Sequence, residues 1–175
     1  MLKTTVIMDY QNVHITGSKL HGSNLGHHQH YIDPIKFTET LIGERNSRIK
    51  EGFSPATVSK VLVYRGLPPN VHNPIQYARN LAQAAYWERD QRVIVTHRPL
   101  KYTFERDESG KLILDSNGEK IPLSKQEKGI DVLCALALVR EVQTADLVIL
   151  ASQDTDLIPA INEARSLRRG KIETC

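Results

Sequence analysis

Short runs of apolar residues, rich in Val and Ile, alternate along the chain with stretches of helical periodicity. Four such runs lie at residues 4–8, 58–64, 92–96 and 147–151. They show little polar alternation, which is typical of strands that are buried on both faces. Strands that alternate with helices predict a mostly parallel sheet covered by helices on both sides and joined by right-handed crossovers. The fold class predicted is therefore α/β, a three-layer sandwich.

Helix starts between these runs can be located from capping residues. Asp33-Pro34 and Asn73-Pro74 each place a capping side chain before a proline at the first helical position. The second helix is predicted to end near Asp90. Residues 129–142 predict a helix that is apolar around nearly its whole circumference and therefore deeply packed. Residues 155–167 predict a last helix, and residues 171–175 predict the start of another strand.

Two segments interrupt the alternation. Residues 17–30 are rich in Gly, Ser, Asn and His and predict a flexible loop. Residues 101–122 hold Ser-Gly and Asn-Gly turn signals and predict a small β-hairpin insertion. Neither contains a linker or a repeat, so residues 1–175 are interpreted as a single domain. Because a strand begins at the end of the given sequence, a C-terminal accessory domain is one alternative left open. Association with a second copy of the chain is another.

Composition excludes several classes of protein. The chain has 175 residues, of which 40% are hydrophobic and 25% charged, and only two cysteines, Cys134 and Cys175. A disulfide scaffold and a thiolate metal cluster are therefore not expected. The longest nearly unbroken apolar run, residues 132–139, is far shorter than the ~18–20 residues of a membrane span. The N-terminus lacks the apolar core of a secretory signal, so a cytoplasmic location without membrane contact is predicted.

The net charge of +3 is unevenly distributed. Residues 57–106 hold eight bases and three acids, whereas residues 107–175 hold nine bases and twelve acids. A basic middle beside an acidic end is consistent with a polyanionic substrate, although a solvated surface with chance fluctuation gives the same pattern. Candidate phosphate contacts in or near the basic segment are Arg65, Arg98, Lys101 and Lys128.

Carboxylates follow the predicted strands at the edge where α/β proteins bind ligands. Asp9 follows the first strand, Asp154 and Asp156 follow the strand 147–151, and Asp131 lies in the first turn of the helix 129–142. Helices begin at the edge where parallel strands end, so these four acids are predicted to converge. Convergent carboxylates repel one another unless a cation lies between them, and Mg²⁺ or Mn²⁺ prefers oxygen ligands. A divalent metal centre is the hypothesis.

Each acid also has a structural explanation as a helix cap or a dipole partner, but caps give no reason for Asp9 or for two acids after one strand. Asn12 is predicted to hold a carboxylate in place or contact substrate, and Ser152 to orient a ligand or the substrate; both also fit ordinary turn positions. The histidines at 14, 21, 27, 28 and 30 lack a fixed scaffold, so a zinc site is not favoured. Tyr86 and Trp87 are interpreted as core residues.

Three motifs together resemble the signatures of NYN domains, members of the PIN-like nuclease superfamily. They are VIMDYQN at residues 6–12, KGIDV at residues 128–132 and SQDTDLIP at residues 152–159. Their order and strand context match, and the resemblance spans nearly the whole chain. It implies a metal-dependent ribonuclease with acids at Asp9, Asp131, Asp154 and Asp156 around the metal, supported by Asn12. Gln153 stands where the family commonly has Gly, which predicts an altered level of activity rather than another fold.

The function predicted is hydrolysis of an RNA phosphodiester by water that is activated on Mg²⁺ or Mn²⁺. A non-catalytic RNA- or protein-binding module of the same fold is the first alternative. A phosphohydrolase of small phosphate esters is the second, although such enzymes that form an aspartyl phosphate need Asp-x-Asp after the first strand, and Gln11 stands there. Replacing Asp154 with Asn, and a screen of small esters, discriminate among the three.

Overall fold

The computed structural model of the protein describes residues 1–20, 31–167 and 170–175. Its strands and helices, in chain order, are β1 (Leu2–Asp9), α1 (Tyr10–Leu20), α2 (Pro34–Ser47), β2 (Ala56–Leu67), α3 (Pro74–Trp87), β3 (Val93–Pro99), β4 (Lys101–Phe104), β5 (Pro122–Gln126), α4 (Ile130–Glu141), β6 (Leu147–Ala151), α5 (Ile158–Ser166) and β7 (Lys171–Thr174). None of the helices within these ranges is long and apolar enough to cross a membrane.

Five parallel strands form the central sheet, in the order β3-β2-β1-β6-β7. This confirms the α/β class and the parallel sheet flanked by helices. The chain adds β2 and β3 on one side of β1, and β6 and β7 on the other side. The direction of the crossovers therefore reverses between β1 and β6, and such a reversal opens a crevice at the carboxyl ends of the strands. We call this position, between the ends of β1 and β6, the switch point of the sheet. Asp9 ends β1 there.

Alternate residues of the central strands fill two separate cores. On one face of the sheet, Ile7 and Leu150 pack with Cys134 and Leu138 of α4 and Ala164 of α5. On the other face the residues from β1 and β2 belong to clusters that also hold residues of α1, α2 and α3: Val6, Met8, Val61, Val63, Tyr10, Ile42 and Trp87. Complete burial of both sets explains why these strands lack polar alternation.

The predicted capping residues open both helices. Asp33 Oδ1 accepts hydrogen bonds from the amides of Ile35 and Lys36, and Asn73 Oδ1 accepts one from the amide of Gln76. The helix that begins after Asn73 ends at Trp87, slightly before the predicted position.

Helix α1 is absent from the sequence-based prediction. Residues 17–20, which the sequence predicts to belong to a flexible loop, lie in this helix. The rest of the predicted loop, residues 21–30, lies outside the described residues, together with four of the five histidines. The sequence YQNVHITGSKL is rich in β-branched residues and contains a glycine, so its intrinsic helix propensity is low. The helix forms because Tyr10 is buried against Trp87 and Val13 packs on the sheet.

Three other expectations about burial were wrong. Strand β3 is an edge strand whose Ile94 is 45% exposed, so the run 92–96 is not buried on both faces. Helix α4 leaves Val132 and Leu136 more than half exposed, so it is not packed around its whole circumference. Tyr86 is 57% exposed, whereas Trp87 is buried as expected. Apolar composition did not distinguish covered faces from solvent-facing ones.

The hairpin and the last helix differ in detail from the prediction. An antiparallel pair of strands, β4 and β5, forms a separate two-stranded sheet that extends to Gln126, a few residues beyond the predicted end at 122. The segment predicted as the start of the last helix is a 3₁₀ turn, Thr155–Leu157, which α5 follows. The strand predicted after residue 171 is β7, which pairs in parallel with β6.

Candidate functional site

Asp9 lies at the carboxyl end of β1 and is only 8% exposed. Its Oδ1 accepts a hydrogen bond from the backbone amide of Asn12 at 3.1 Å, so the side chain caps helix α1. Sequence reasoning found no capping role for Asp9 because it did not predict this helix. Capping of α1 therefore explains an acid at position 9, but it leaves room for a second role of the carboxylate.

The electrostatic environment of Asp9 is unfavourable for a capping carboxylate. Burial raises the pKa of Asp9, the Asn12 amide acts in the opposite direction, and the negative charges of Asp154 and Asp131 raise it further. A helix cap alone does not require two more acids nearby. The charges of Asp131 and Asp154 therefore act on Asp9, and these three residues are among the four acids that the sequence predicts to converge.

Buried Cys134 lies within reach of the charges of the same acids. It lies in α4, one turn after Asp131, and is fully buried. Burial raises the pKa of its thiol, and nearby negative charges raise it further. Those charges belong to four carboxylates: Asp9, Asp131, Glu127 and Asp154. We call these four carboxylates, Asp9, Asp131, Asp154 and Glu127, the acidic centre. Sequence reasoning missed Glu127.

Glu127 is held at the centre by backbone and amide donors. Its Oε1 accepts a hydrogen bond from the amide of Gly66, at the end of β2, at 2.5 Å. The side-chain amide of Gln11, oriented with its nitrogen toward Glu127, donates to both carboxylate oxygens at 2.9 and 2.8 Å. Burial raises the pKa of Glu127, the Gly66 hydrogen bond lowers it, and the charge of Asp9 raises it. Glu127 immediately precedes the KGIDV motif. Its position in the sequence does not indicate that the amide of Gly66, in a different strand, binds it.

The loop after β6 is fixed by hydrogen bonds to its backbone. Asn12 Oδ1 accepts from the amide of Gln153 at 2.9 Å, which ties α1 to this loop. Ser152 Oγ accepts from the amide of Asp154 at 3.2 Å. The predicted supporting roles of Asn12 and Ser152 are thus consistent with the geometry, but both act by positioning the backbone that carries Asp154. The Gln153 side chain is exposed and only its amide takes part in this contact.

Asp156 has a different environment from the other predicted ligands. It is exposed, and its backbone amide donates to Asp154 Oδ1 at 2.9 Å, so Asp154 caps the 3₁₀ turn. Within residues 1–20, 31–167 and 170–175, no three His, Cys, Asp or Glu side chains form a ready-made ligand set for a metal ion. The acids are therefore neighbours rather than a closed cage.

Carboxylates that do not form a closed ligand set could hold only an ion that keeps water ligands, such as Mg²⁺ or Mn²⁺. Mg²⁺ usually keeps several waters and binds one or two carboxylates directly, together with substrate phosphate. Asp9 and Asp154 are the two residues best placed to supply such ligands, because both lie at the switch point between β1 and β6. Asp131 adds negative charge beside them.

The four predicted phosphate contacts are not equivalent. The Nε of Arg98 donates to the carbonyl of Lys128 at 2.8 Å and packs against Gly129, whose φ is +76°. Arg98 therefore helps to fix the backbone at the start of α4, which carries Asp131. Lys128 and Lys101 are exposed, the latter at the start of β4.

Arg65 is a partly buried cation near the end of β2. Its two terminal nitrogens donate to Gln83 Oε1 at 2.8 Å and Asn80 Oδ1 at 3.0 Å. Its guanidinium carbon lies 4.6 Å from the centroid of the Tyr10 ring. No carboxylate of the described chain lies within ion-pair distance of it. Burial lowers the pKa of Arg65, but the guanidinium remains charged at any ordinary pH.

The close approach of Glu127 to β2 requires glycine at position 66. A Cβ there would overlap the Glu127 carboxylate and the Leu100 side chain. Gly66→Ala is expected to lower the free energy of unfolding by about 1–3 kcal/mol, because both groups must move and the buried carboxylate loses a hydrogen bond. Urea denaturation measures this change.

Gly43 provides the matched control for that substitution. It lies in α2 and a Cβ there meets nothing within 4 Å. Gly43→Ala is expected to be neutral or stabilising by up to about 1 kcal/mol, because alanine has the higher helix propensity. Equal effects of the two substitutions would show that Glu127 is not held as described.

Comparison with known proteins identifies the fold only. No family model and no curated protein matches the chain. A crystal structure of a protein of unknown function from Vibrio parahaemolyticus is similar, with a TM-score of 0.53 and 18% sequence identity, over 99% of this chain and 80% of that chain. At this level of sequence identity the likeness extends to the fold alone.

Proposed function

We propose that the protein is a metal-dependent ribonuclease with a PIN-like fold of the NYN type. The observation that supports the proposal is that the negative charges of Asp154 and Asp131 act on buried Asp9 at the carboxyl end of β1. These acids come from the three separate motifs of the resemblance. A buried carboxylate beside like charges is stabilised by a cation, and a divalent ion supplies that charge.

In this proposal Asp9 and Asp154 would bind Mg²⁺ or Mn²⁺ directly, and Asp131 and Asp156 would add negative charge beside it. The ion, when bound, lowers the pKa of a water molecule and stabilises charge on the scissile phosphate. The chain's own contribution is to fix these acids. Asn12 and Ser152 hold the loop of Asp154, and Arg98 holds the start of α4.

RNA is the proposed substrate because cations lie beside the acids. Arg65 and Lys125 line a cleft that also contains Glu127. Lys101 and Lys128 are exposed on neighbouring segments and are available to phosphate groups. Because phosphate contacts release counterions, cleavage is expected to weaken as the salt concentration rises.

Cleavage of single-stranded RNA in Mn²⁺ by the wild-type protein and by Asp154→Asn tests the proposal. Wild type is expected to cleave, and the variant is expected to lose at least about 100-fold of that activity while it remains folded. Glu163→Gln is the matched control, since Glu163 is an exposed carboxylate on α5 away from the cluster. Cleavage that survives in Asp154→Asn at the wild-type rate would overturn the assignment.

A non-catalytic RNA-binding module of the same fold is the second candidate. The observation that favours it is the lack of a closed set of three ligands among the described residues. It predicts that purified wild-type protein binds RNA without cleaving it in either Mg²⁺ or Mn²⁺, and that Asp154→Asn leaves this binding unchanged. The cleavage assay therefore separates the two candidates directly.

A further inference from the structure

A cleft of about 660 Å³ lies beside the acidic centre. It reaches that centre at Gln11 and Glu127 and extends to α3, where Arg79 and Asn80 line it. Its volume lies within the range of about 300–1,000 Å³ that is typical of sites for small molecules. The cleft is therefore large enough for more than a single ion.

The charge of the cleft is positive. Three cations line it, Arg65, Arg79 and Lys125, against one carboxylate, Glu127, among its described residues. The Glu127 carboxylate already accepts hydrogen bonds from Gly66 and Gln11, which leaves less of it available to the cations. Glu127 attracts Arg65, but no ion pair joins any of the three cations to a carboxylate of the described residues. An anionic ligand would balance the remaining positive charge.

Two of the cations are held in place by neutral partners. The guanidinium of Arg65 is bound by Gln83 and Asn80 and stacked on Tyr10, so its position does not depend on a ligand. Arg79 Nη1 donates to the Tyr31 hydroxyl at 3.3 Å, which links α3 to the segment before α2. A preorganised cation binds an anion with less loss of side-chain entropy than a mobile one.

The cleft also has flat and apolar surfaces that the cations do not explain. Tyr31 lines it and is 48% exposed, and Ile75 lines it and is 74% exposed. An exposed aromatic ring and an exposed aliphatic side chain in one cleft are suited to the face of a nucleobase. A simple inorganic anion would use none of this surface.

We propose that this cleft binds one nucleoside monophosphate unit, with the phosphate among Arg65, Arg79 and Lys125 and the base against Tyr31 and Ile75. The inference deepens the proposed function and rests on it for the role of the site, which is to hold the nucleotide next to the bond that the acidic centre cleaves. Binding itself requires neither cleavage nor a metal ion. The proposed nucleotide binding and the proposed ribonuclease activity can therefore fail separately.

Intrinsic fluorescence provides a local readout for this site. Trp87 is the only tryptophan of the chain. Its ring lies 5.6 Å from the guanidinium carbon of Arg65, and its centroid lies 5.1 Å from that of Tyr10. An anion at Arg65 is expected to change Trp87 emission.

The experiment titrates the full chain with AMP and with adenosine in EDTA, followed by Trp87 emission and by calorimetry. AMP is expected to bind at least about tenfold more tightly than adenosine, because only AMP carries the phosphate. Arg79→Gln and Lys125→Gln are each expected to weaken AMP binding by about 3–10-fold and to leave adenosine binding unchanged. Both residues are exposed, so these variants should fold normally.

Arg89→Gln is the matched control, because Arg89 is an exposed arginine just after α3 that does not line the cleft. Equal affinity for AMP and adenosine, no binding of AMP at millimolar concentration, or equal effects of Arg79→Gln and Arg89→Gln would each overturn the inference. The titrations contain EDTA and detect binding rather than cleavage, so they remain interpretable if the ribonuclease assay shows no activity.

A second arm distinguishes the source of the nucleotide. Asp154→Asn protein is titrated with short RNAs that carry a 5′-phosphate, a 3′-phosphate or two hydroxyl ends. Tighter binding of one phosphorylated RNA than of AMP identifies the end of an RNA chain as the source. Tighter binding of AMP than of all three RNAs identifies a free nucleotide as the source; both results retain the site.

Discussion

Replacing Asp9 with asparagine is expected to abolish RNA cleavage while leaving the metal-free protein at least as stable as wild type. Asparagine is as good a helix cap as aspartate, so the hydrogen bond from the Asn12 amide is kept. It removes a buried charge that Asp131 and Asp154 repel. Activity is expected to fall by about 1,000-fold or more, because a direct ligand of the metal ion is lost.

The change in stability has a defined pH dependence. The pKa of folded Asp9 is raised above its ordinary value of 3.8, so the folded state holds this proton more tightly than the unfolded state. Stability from this group is therefore present below pH 3.8 and is lost as the pH rises through the folded pKa. Asp9→Asn lacks this loss, so in EDTA it should gain stability over wild type at pH 7, by on the order of 1 kcal/mol, and the gain should vanish at low pH.

Asp33→Asn is the control for this prediction, because it makes the same substitution at a helix cap away from the site. It is expected to retain full cleavage. Chemical denaturation in EDTA and then in Mn²⁺ measures the stabilities, and Mn²⁺ should stabilise wild type and Asp33→Asn but not Asp9→Asn. A marked loss of stability in Asp9→Asn would mean that the carboxylate is primarily structural.

The second large effect is expected for Asn12→Ala, although Asn12 carries no charge. Its side-chain oxygen holds the amide of Gln153 and so fixes the loop that presents Asp154. Without that contact the carboxylate of Asp154 is no longer held at a fixed position relative to that of Asp9. Loss of a residue that orients a metal ligand typically costs 10–100-fold in metal affinity or activity, and we expect a loss of about that size here.

The concentration dependence on Mn²⁺ distinguishes positioning from a general loss of structure. Asn12→Ala is expected to need more Mn²⁺ for half-maximal activity and to recover part of its activity at high Mn²⁺. Gln153→Ala is the matched control, since it removes an exposed side chain and keeps the amide that Asn12 binds. Wild-type Mn²⁺ dependence in Asn12→Ala would contradict the positioning role.

The control also bears on the expectation that Gln153 alters the level of activity. That expectation arose from the absence of a glycine at this position. The structure gives the Gln153 amide a defined partner and leaves the side chain exposed. Near wild-type cleavage by Gln153→Ala is therefore the expected result.

The sequence was sufficient to predict the edge of the sheet at which the acids meet. Parallel strands end on one side, so residues that follow buried runs, such as Asp9 and Asp154, are placed near each other by topology alone. The caps at Asp33 and Asn73 were also predictable, because their hydrogen bonds are local. These features depend on neighbouring residues or on strand direction.

Features that depend on distant partners could not be predicted in this way. Helix α1 forms through the burial of Tyr10 and Val13 and not through local propensity. Glu127 is part of the acidic centre because the amide of Gly66 binds it across 61 positions of sequence. Arg98 was predicted to contact phosphate, whereas its Nε binds the carbonyl of Lys128. Each depends on a tertiary contact that leaves no periodic pattern.

The most direct test of the central claim is anomalous scattering from crystals grown with Mn²⁺. We predict a manganese peak at the switch point between β1 and β6, within coordination distance of carboxylate oxygens of Asp9 and Asp154. Crystals of Asp9→Asn grown in the same solution should lack it. Wild-type crystals in which this position holds no manganese at saturating concentration would contradict the claim that these acids form a metal centre.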